Sequence, residues 1–388
     1  MIKVAVVGTG GISQAHLEAY SFFPERCKVV CICDIYPEKA AALKEKFKLD
    51  CDIVGEASAV ADRDDIDLVS ICTPPYTHAE LSIEFLRSGK HVLVEKPMAS
   101  SLSECDQMIA AAEQANKILS VVGQNRFRDP IMKLKQLLDA GAVGKVLHAQ
   151  VESHWWRGHV YYDLWWRGTW EKEGGGCTLN HAVHHIDMLQ WMMGMPDTVQ
   201  AVMSNTAHDN AEVEDLSIAI LSYANGALAQ ITSSVVHHGE EQQVIFQAEK
   251  ARVSAPWKVY ASLSKENGFP ERNAVLEAEI EALYGQLPEV PYSGHTGQID
   301  NVLTAVENAT LNVLVDGHQG RNTLELITAI YLAASTGQKV QLPLQPDNPF
   351  YTREGIMANA PHFYEKKSSV TGFAKNDITL GSDYTEIS

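Results

Sequence analysis

The sequence has no CxxC pair, is short of positive charge and is without any long apolar run. No apolar stretch approaches the roughly 20 residues that a helix needs to span a bilayer, which excludes a spanning helix and a membrane partner. Lys and Arg number 31 against 49 Asp and Glu, a formal charge of −18. Binding a polyanion requires a basic surface that displaces counterions, so nucleic acid is excluded as a partner and the balance indicates a soluble protein. The seven cysteines are odd in number and form no CxxC pair. Cys31 and Cys33 alternate within one strand-like run. Reduced, mostly buried thiols fit that pattern better than a disulfide framework or a zinc site. HEXXH is also absent, and no metal is expected. Repeats and low-complexity segments are missing too; there is only a polar tail after about residue 345, expected to wrap a neighbouring subunit or to be partly mobile.

What is present starts at once. MIKVAVVGTGG puts a strand-like run within a few residues of Met1, which leaves no room for a signal peptide, so a cytoplasmic protein is expected. The 388 residues exceed what one core usually supports. The pattern divides them into a nucleotide-binding domain over 1–123, an α+β domain over 124–345 and a C-terminal extension over 346–388.

In the first third, short apolar runs at 4–7, 29–33, 68–72, 92–95 and 118–122 alternate with helix-forming segments at 14–20, 37–47, 78–89 and 102–116. Such alternation predicts an α/β fold, a doubly wound parallel sheet covered on both faces. The first run leads directly into Gly8-Thr9-Gly10-Gly11-Ile12-Ser13. Glycines there permit a tight turn and bring backbone N–H groups at a helix start close to a pyrophosphate. Ser13 stands where the dinucleotide fingerprint has Gly or Ala. Asp34 closes the second strand, where a carboxylate accepts from ribose hydroxyls and repels a 2′-phosphate. Ile35 and Tyr36 follow rather than Arg or Lys, so NAD is expected over NADP. Further cofactor contacts are expected at strand ends: Thr73, Pro74 and His78, then Glu95 and Lys96, then Gln124 and Asn125.

Beyond 123 the runs lengthen and alternate, at 146–154, 197–205, 215–224, 226–237 and 242–248, which predicts a large, mostly antiparallel open sheet covered on one side by helices. Five of the seven tryptophans fall within HWWRGHVYYDLWWRGTW. Flat aromatic faces beside charged donors suit a sugar, although aromatics equally favour an interface or a satellite core. Three glycines, 174–176, then precede a predicted helix with Leu179, Val183, Ile186, Leu189 and Met193 as its buried stripe. Asn180, His184 and Asp187 share the adjacent face, as a polar ladder suited to a cleft wall.

These pieces together resemble the glucose–fructose oxidoreductase, inositol dehydrogenase and rhizopine-catabolism family (Gfo/Idh/MocA) over roughly residues 1–343. The resemblance rests on GTGGIS, CTPPYTH at 72–78, EKP at 95–97, the glycine segment with Asn180, His184 and Asp187, and the ending Gly317…Gly320-Arg321…Leu324-Glu325-Leu326…Tyr331. It implies a Rossmann domain joined to an open-faced α+β domain, assembled as a dimer or tetramer through the sheets. It also implies that Lys96 and His184 are catalytic, with Asn180 at a position most often filled by aspartate. Asparagine cannot take a proton, which excludes a Lys–Asp–His relay. With the Trp166–Trp170 WRGTW segment, it resembles sugar-oxidising branches such as levoglucosan or glycoside 3-dehydrogenases.

The expected activity is therefore NAD-dependent oxidation of a secondary hydroxyl, at C3, of a pyranose sugar or glycoside. His184 is the expected base, Lys96 stabilises the developing alkoxide, and Asn180 orients the hydroxyl. Asp187 is read as structural. Arg126, Tyr162, Arg167, His181 and His295 are the further candidate substrate contacts. Rival readings are an NAD-dependent glycosidase working through transient C3 oxidation, an inositol dehydrogenase, and a non-catalytic NAD-binding sensor.

Overall fold

Short apolar strands need cover on both faces, and the chain supplies it by alternating strands with helices. The computed structural model describes residues 1–372. Its first half runs β1 (Ile2–Val7), α1 (Ser13–Ser21), β2 (Cys27–Cys33), α2 (Pro37–Lys46), β3 (Asp52–Val54), α3 (Ala57–Ala61), β4 (Leu68–Ile71), α4 (His78–Arg87), β5 (His91–Val94), α5 (Leu102–Ala115) and β6 (Leu119–Val121). The six strands form one parallel sheet in the order β3-β2-β1-β4-β5-β6. Strand order reverses between β1 and β4, so the crevice at their carboxyl ends is where such a sheet receives a ligand. The interior is the expected set: Val4, Ala5, Val6, Cys31, Ile32, Leu68, Val69, Ile71, Val92 and Val94 are buried. All seven cysteines are buried and free. Neither β3 nor α3 shows in the apolar pattern, because both are short and β3 lies at the sheet edge with no fully buried residue.

The second half adds α6 (Asp129–Asp139), β7 (Val146–His154), α7 (Cys177–Asn180), α8 (Val183–Met193), β8 (Thr198–Ser204), β9 (Leu216–Ser222), β10 (Leu228–Ser234), β11 (Gln242–Ala248), β12 (Ala251–Ala255), β13 (Lys258–Ser264), β14 (Pro270–Arg272), α9 (Ala274–Gln286), α10 (Gly294–Glu307), α11 (Gly317–Thr336), β15 (Val340–Gln341) and α12 (Arg353–Asn359). Its strands form a nine-stranded sheet ordered β14-β13-β12-β11-β7-β10-β9-β8-β15. β7 and β10 pair in parallel and the other neighbours are antiparallel. α8 packs on β7 and α11 on β8, which buries Val151, Ala219, Leu221, Ile231 and Phe246 on the covered face. Among the described residues no helix is long and apolar enough to cross a membrane.

The expected boundary at 123 separates the two sheets but not the two cores. α10 packs on α1, and its Ile299, Val302 and Leu303 join Val4, Val6 and Ile32 in one buried cluster. Arg26, just before β2, pairs with Asp300 at 2.5 Å and Glu307 at 2.8 Å. Gln298 fastens the end of β6, accepting from Gly123 N at 2.9 Å and donating to the Val121 carbonyl at 2.7 Å. The chain thus returns to its first domain before closing the second.

Candidate active site

The glycine turn after β1 is built for close approach. Gly8 has φ +90°, and a Cβ there would stand 2.8 Å from the Cys72 backbone, so any larger residue is strained and crowded. At Gly10 nothing lies within 4 Å of an added Cβ, leaving open space in front of the turn. Ser13 Oγ donates to the Gly10 carbonyl at 2.7 Å, and Gly11 and Ile12 are partly exposed beside it. Asp34 is tied into the same turn: its Oδ2 accepts from Thr9 N at 2.7 Å and from the Thr9 hydroxyl, and its Oδ1 from Tyr36 N. A carboxylate has roughly four acceptor positions, two on each oxygen, so Oδ1 retains capacity for a ribose hydroxyl. Gln124, after β6, carries a buried Oε1 with no hydrogen-bond partner among the described residues. An orphaned acceptor at the end of the sheet and an open glycine turn are what a dinucleotide with amide donors would satisfy, and Thr73 and Pro74 stand partly exposed along the crevice between them.

Lys96 follows β5, and its Nζ donates to the Asn180 carbonyl at 3.0 Å, joining the two halves across the cleft. Lys96, Asn180 and His184 are each only partly exposed, within otherwise buried runs. Burial pushes the Lys96 ammonium below its ordinary value, against the pull of Glu95. Burial likewise pushes His184 well below its ordinary value, and Lys96 adds to the shift. The imidazole is therefore neutral at pH 7 and able to accept a proton, next to a cation that stabilises negative charge. Behind them Glu95 accepts from His16 Nε2 at 3.0 Å, with His295 Nε2 at 3.7 Å. Burial would raise the Glu95 carboxyl, but His16 and His295 beside it hold it well below the ordinary carboxylate range. Those three side chains are the described group whose atoms, all within 4.8 Å, could hold a metal ion; the histidines at 181–185 do not belong to it.

The expected single helix over the glycine segment is two. α7 ends at Asn180, a turn at His181 and Ala182 intervenes, and α8 begins at Val183. The Asn180 amide faces back, donating to the Gly175 carbonyl at 2.9 Å, and its backbone carbonyl is what meets Lys96. The glycines let this corner sit against β9: a Cβ at Gly176 would fall 1.9 Å from the Glu214 carbonyl oxygen. Glu214, buried, accepts from Gly176 N, Thr178 N and the Tyr331 hydroxyl, and so holds the corner in place.

Four of the expected contacts, Arg126, Tyr162, His78 and Asn125, are buried. Arg126 is fully buried, and both Asp187 oxygens accept from it at 2.7 and 2.8 Å, so it ties α8 to the end of the first sheet and does not face the cleft. Asp187 is structural, as read from the sequence. Tyr162 is 1% exposed and packs edge-on against Tyr161 and His208. His78 is buried with Nδ1 and Nε2 each 2.8 Å from a carbonyl oxygen, of Pro97 and Thr73, so it fixes the two strand-end loops and offers no free nitrogen to a cofactor.

The aromatic segment divides by side. Trp155, Tyr162 and Trp170 enter the core, whereas Tyr161, Trp166 and Arg167 are half-buried. Arg167 lies 4.1 Å from the Tyr161 ring centre and 4.2 Å from that of Trp166, and donates to Glu173 at 2.8 Å. The Tyr161 hydroxyl is 3.5 Å from His181 Nε2. Arg157 and Glu173 were not singled out in the sequence; Arg157 lies in the tryptophan-rich stretch that contains Tyr161, and Glu173 three residues beyond its end.

With fold and cleft described, comparison with known proteins fixes the class. The chain belongs to the GFO/IDH/MocA oxidoreductases: residues 2–122 match the oxidoreductase family with an NAD-binding Rossmann fold, and 131–254 match the GFO/IDH/MocA C-terminal domain. It is an NAD-dependent oxidoreductase. Among relatives, it is 27% identical over 72% of its length to 2,7-anhydro-N-acetylneuraminate hydratase of Mediterraneibacter gnavus, of which 74% is covered. It is 23% identical over 88% of its length to D-glucoside 3-dehydrogenase of Escherichia coli, of which 97% is covered. The crystal structure of the WlbA dehydrogenase from Bordetella pertussis, in complex with NADH and UDP-GlcNAcA, is 28% identical and superposes with a TM-score of 0.76 over 89% of this chain and 98% of that one.

Proposed function

We propose that the protein oxidises a secondary hydroxyl, at C3, of a pyranose sugar or glycoside to the keto sugar. The observation that carries this reading is the meeting of Lys96, the Asn180 corner and neutral His184 at one partly open point beside the strand ends. Gly8, Gly10, Gly11, Ile12, Asp34, Thr73, Pro74 and Gln124 would hold NAD, which supplies the hydride acceptor. A ring nitrogen of His184 takes the hydroxyl proton as the C–H electron pair leaves the same carbon as hydride. Lys96 places positive charge beside the oxygen as it becomes a carbonyl, and is itself held by Asn180. Tyr161, Trp166 and Arg167 present apolar faces and donors to the sugar ring. The choice of C3 is supported by the likeness to a glucoside 3-dehydrogenase over nearly the whole chain.

His184→Ala and Lys96→Ala are each expected to lower kcat by about 10²–10⁴-fold while leaving NADH binding, followed by fluorescence titration, within a few fold. Full turnover in either variant rejects that residue's assigned role. A second reading, transient oxidation with no net redox change, is favoured by the likeness to a hydratase. It predicts aglycone release, or water addition or loss, without accumulated NADH.

A further inference from the structure

The protein carries a formal charge of −18, yet two arginines and Lys96 stand close enough to His181 to act on its charge. Arg157 and Arg167 flank one ring, their guanidinium carbons 5.7 and 4.1 Å from the centre of Tyr161. Each has one nitrogen bound to a carboxylate at the back, Arg157 Nη1 to Glu240 at 2.6 Å and Arg167 Nη1 to Glu173 at 2.8 Å. Glu173 is buried and spends its second oxygen on Gly168 N. In front of the two guanidiniums stands His181, whose Nδ1 is buried and has no hydrogen-bond partner among the described residues. The residue is 6% exposed, and its other nitrogen faces the Tyr161 hydroxyl. Burial lowers the His181 pKa, and Arg157, Arg167, Lys96 and His184 lower it further. Each guanidinium thus gives its glutamate a single nitrogen, Nη1.

We propose that the substrate is an anionic sugar, one bearing a carboxylate on or beside the pyranose ring, with the carboxylate bound by Arg157 and Arg167 on the His181 side. This deepens the sugar-oxidation reading and rests on it. Each guanidinium has nitrogens beyond the Nη1 given to its glutamate, and a substrate carboxylate would make charge-assisted hydrogen bonds to them. The acidic exterior would repel such a substrate at long range, so its selection has to come from these local groups.

The test compares pairs that differ only at C6: methyl β-glucoside with methyl β-glucuronide, and methyl β-galactoside with methyl β-galacturonide. Two measurements are made on each, NADH formation and calorimetric binding to the NADH-loaded protein. An acid is expected to exceed its neutral partner by about 10-fold or more, in kcat/KM and in affinity. Arg167→Gln and Arg157→Gln should each collapse that ratio by about 10-fold. Arg157, whose partner Glu240 is partly exposed, keeps the test available if Arg167→Gln does not fold. Preferential binding of an acid without NADH formation would reject the oxidation reading and uphold this one. The absence of any preference for the acid, including binding of neither sugar, overturns the proposal, as does a preference that both variants retain.

Discussion

At the scale of single residues, burial governs both the chemistry and the stability. His184 is pushed below its ordinary value of 6.5 and Lys96 below its ordinary 10.5. In the proposed mechanism the base works without its proton and the lysine with it, so kcat/KM should fall on the acid side as His184 gains a proton and on the alkaline side as Lys96 loses one. The profile should therefore have its acid limb below 6.5 and its alkaline limb below 10.5. The alkaline limb should disappear in Lys96→Ala. An acid limb lying above 6.5 would assign the base elsewhere. Arg126 behaves differently, because its guanidinium and Asp187 compensate each other inside the protein. Arg126→Met is expected to cost about 3–5 kcal/mol in chemical denaturation by stranding a buried carboxylate, and Asp187→Leu on top should recover part of it. Glycine turn, strand-end lysine and helix histidine were legible in the sequence because their spacing is local. The Arg126–Asp187 pair and the Glu214 anchor were not, since each joins residues far apart in the chain that carry no pattern of their own.

At the scale of elements, hydrophobic period was a sound guide to long strands and a poor one to breaks. Leu179, Val183, Ile186 and Leu189 are all buried and keep helical spacing straight through the turn at His181, so the pattern could not reveal that α7 and α8 are separate. Strands β12 to β14 escaped notice for another reason: β13 and β14 are mostly exposed and offer little apolar alternation. The described part of the C-terminal extension folds onto its own chain. Lys366 donates to the carbonyls of Tyr162 and Arg167, Val370 exchanges backbone hydrogen bonds with Asp163 and Trp165, and the Trp170 indole donates to the Pro361 carbonyl at 3.0 Å. The tail is thus a strap across the segment that carries Arg167; residues 373–388 lie outside the described part. Truncation after residue 364 should raise the substrate KM by roughly 10-fold through misplacement of that segment, with NADH affinity unchanged. An unchanged KM would make the strap irrelevant to the cleft.

At the scale of the whole molecule, the second sheet is apolar on both faces. Opposite the helix-covered side stand Leu147, Val202, Ile218, Ile220, Leu228 and Tyr260, all exposed, with Val202 at 65% and Ile220 at 51%. Exposed apolar residues of this kind are where the dimer or tetramer implied by the family resemblance would join a second copy of the chain. Ile220→Lys with Val202→Lys should shift the protein to monomers in light scattering, while a wild-type monomer at micromolar concentration would reject the assembly. Two sheets were legible from the change in strand length near 123. The return of α10 to the first core was not, because its buried stripe looks the same whichever sheet it covers.

The central claim is that the cleft between these domains turns a sugar hydroxyl into a ketone at the expense of NAD. Its most direct test is NADH formation with a panel of a glucoside, its glucuronide, an anhydrosugar, a nucleotide sugar and myo-inositol, with NADP in parallel and the product examined by NMR. The account predicts reduction of NAD by a pyranoside, together with a keto carbon at C3. NADH formed with a keto group elsewhere on the ring would contradict the position, and aglycone release or hydration without NADH would contradict net oxidation.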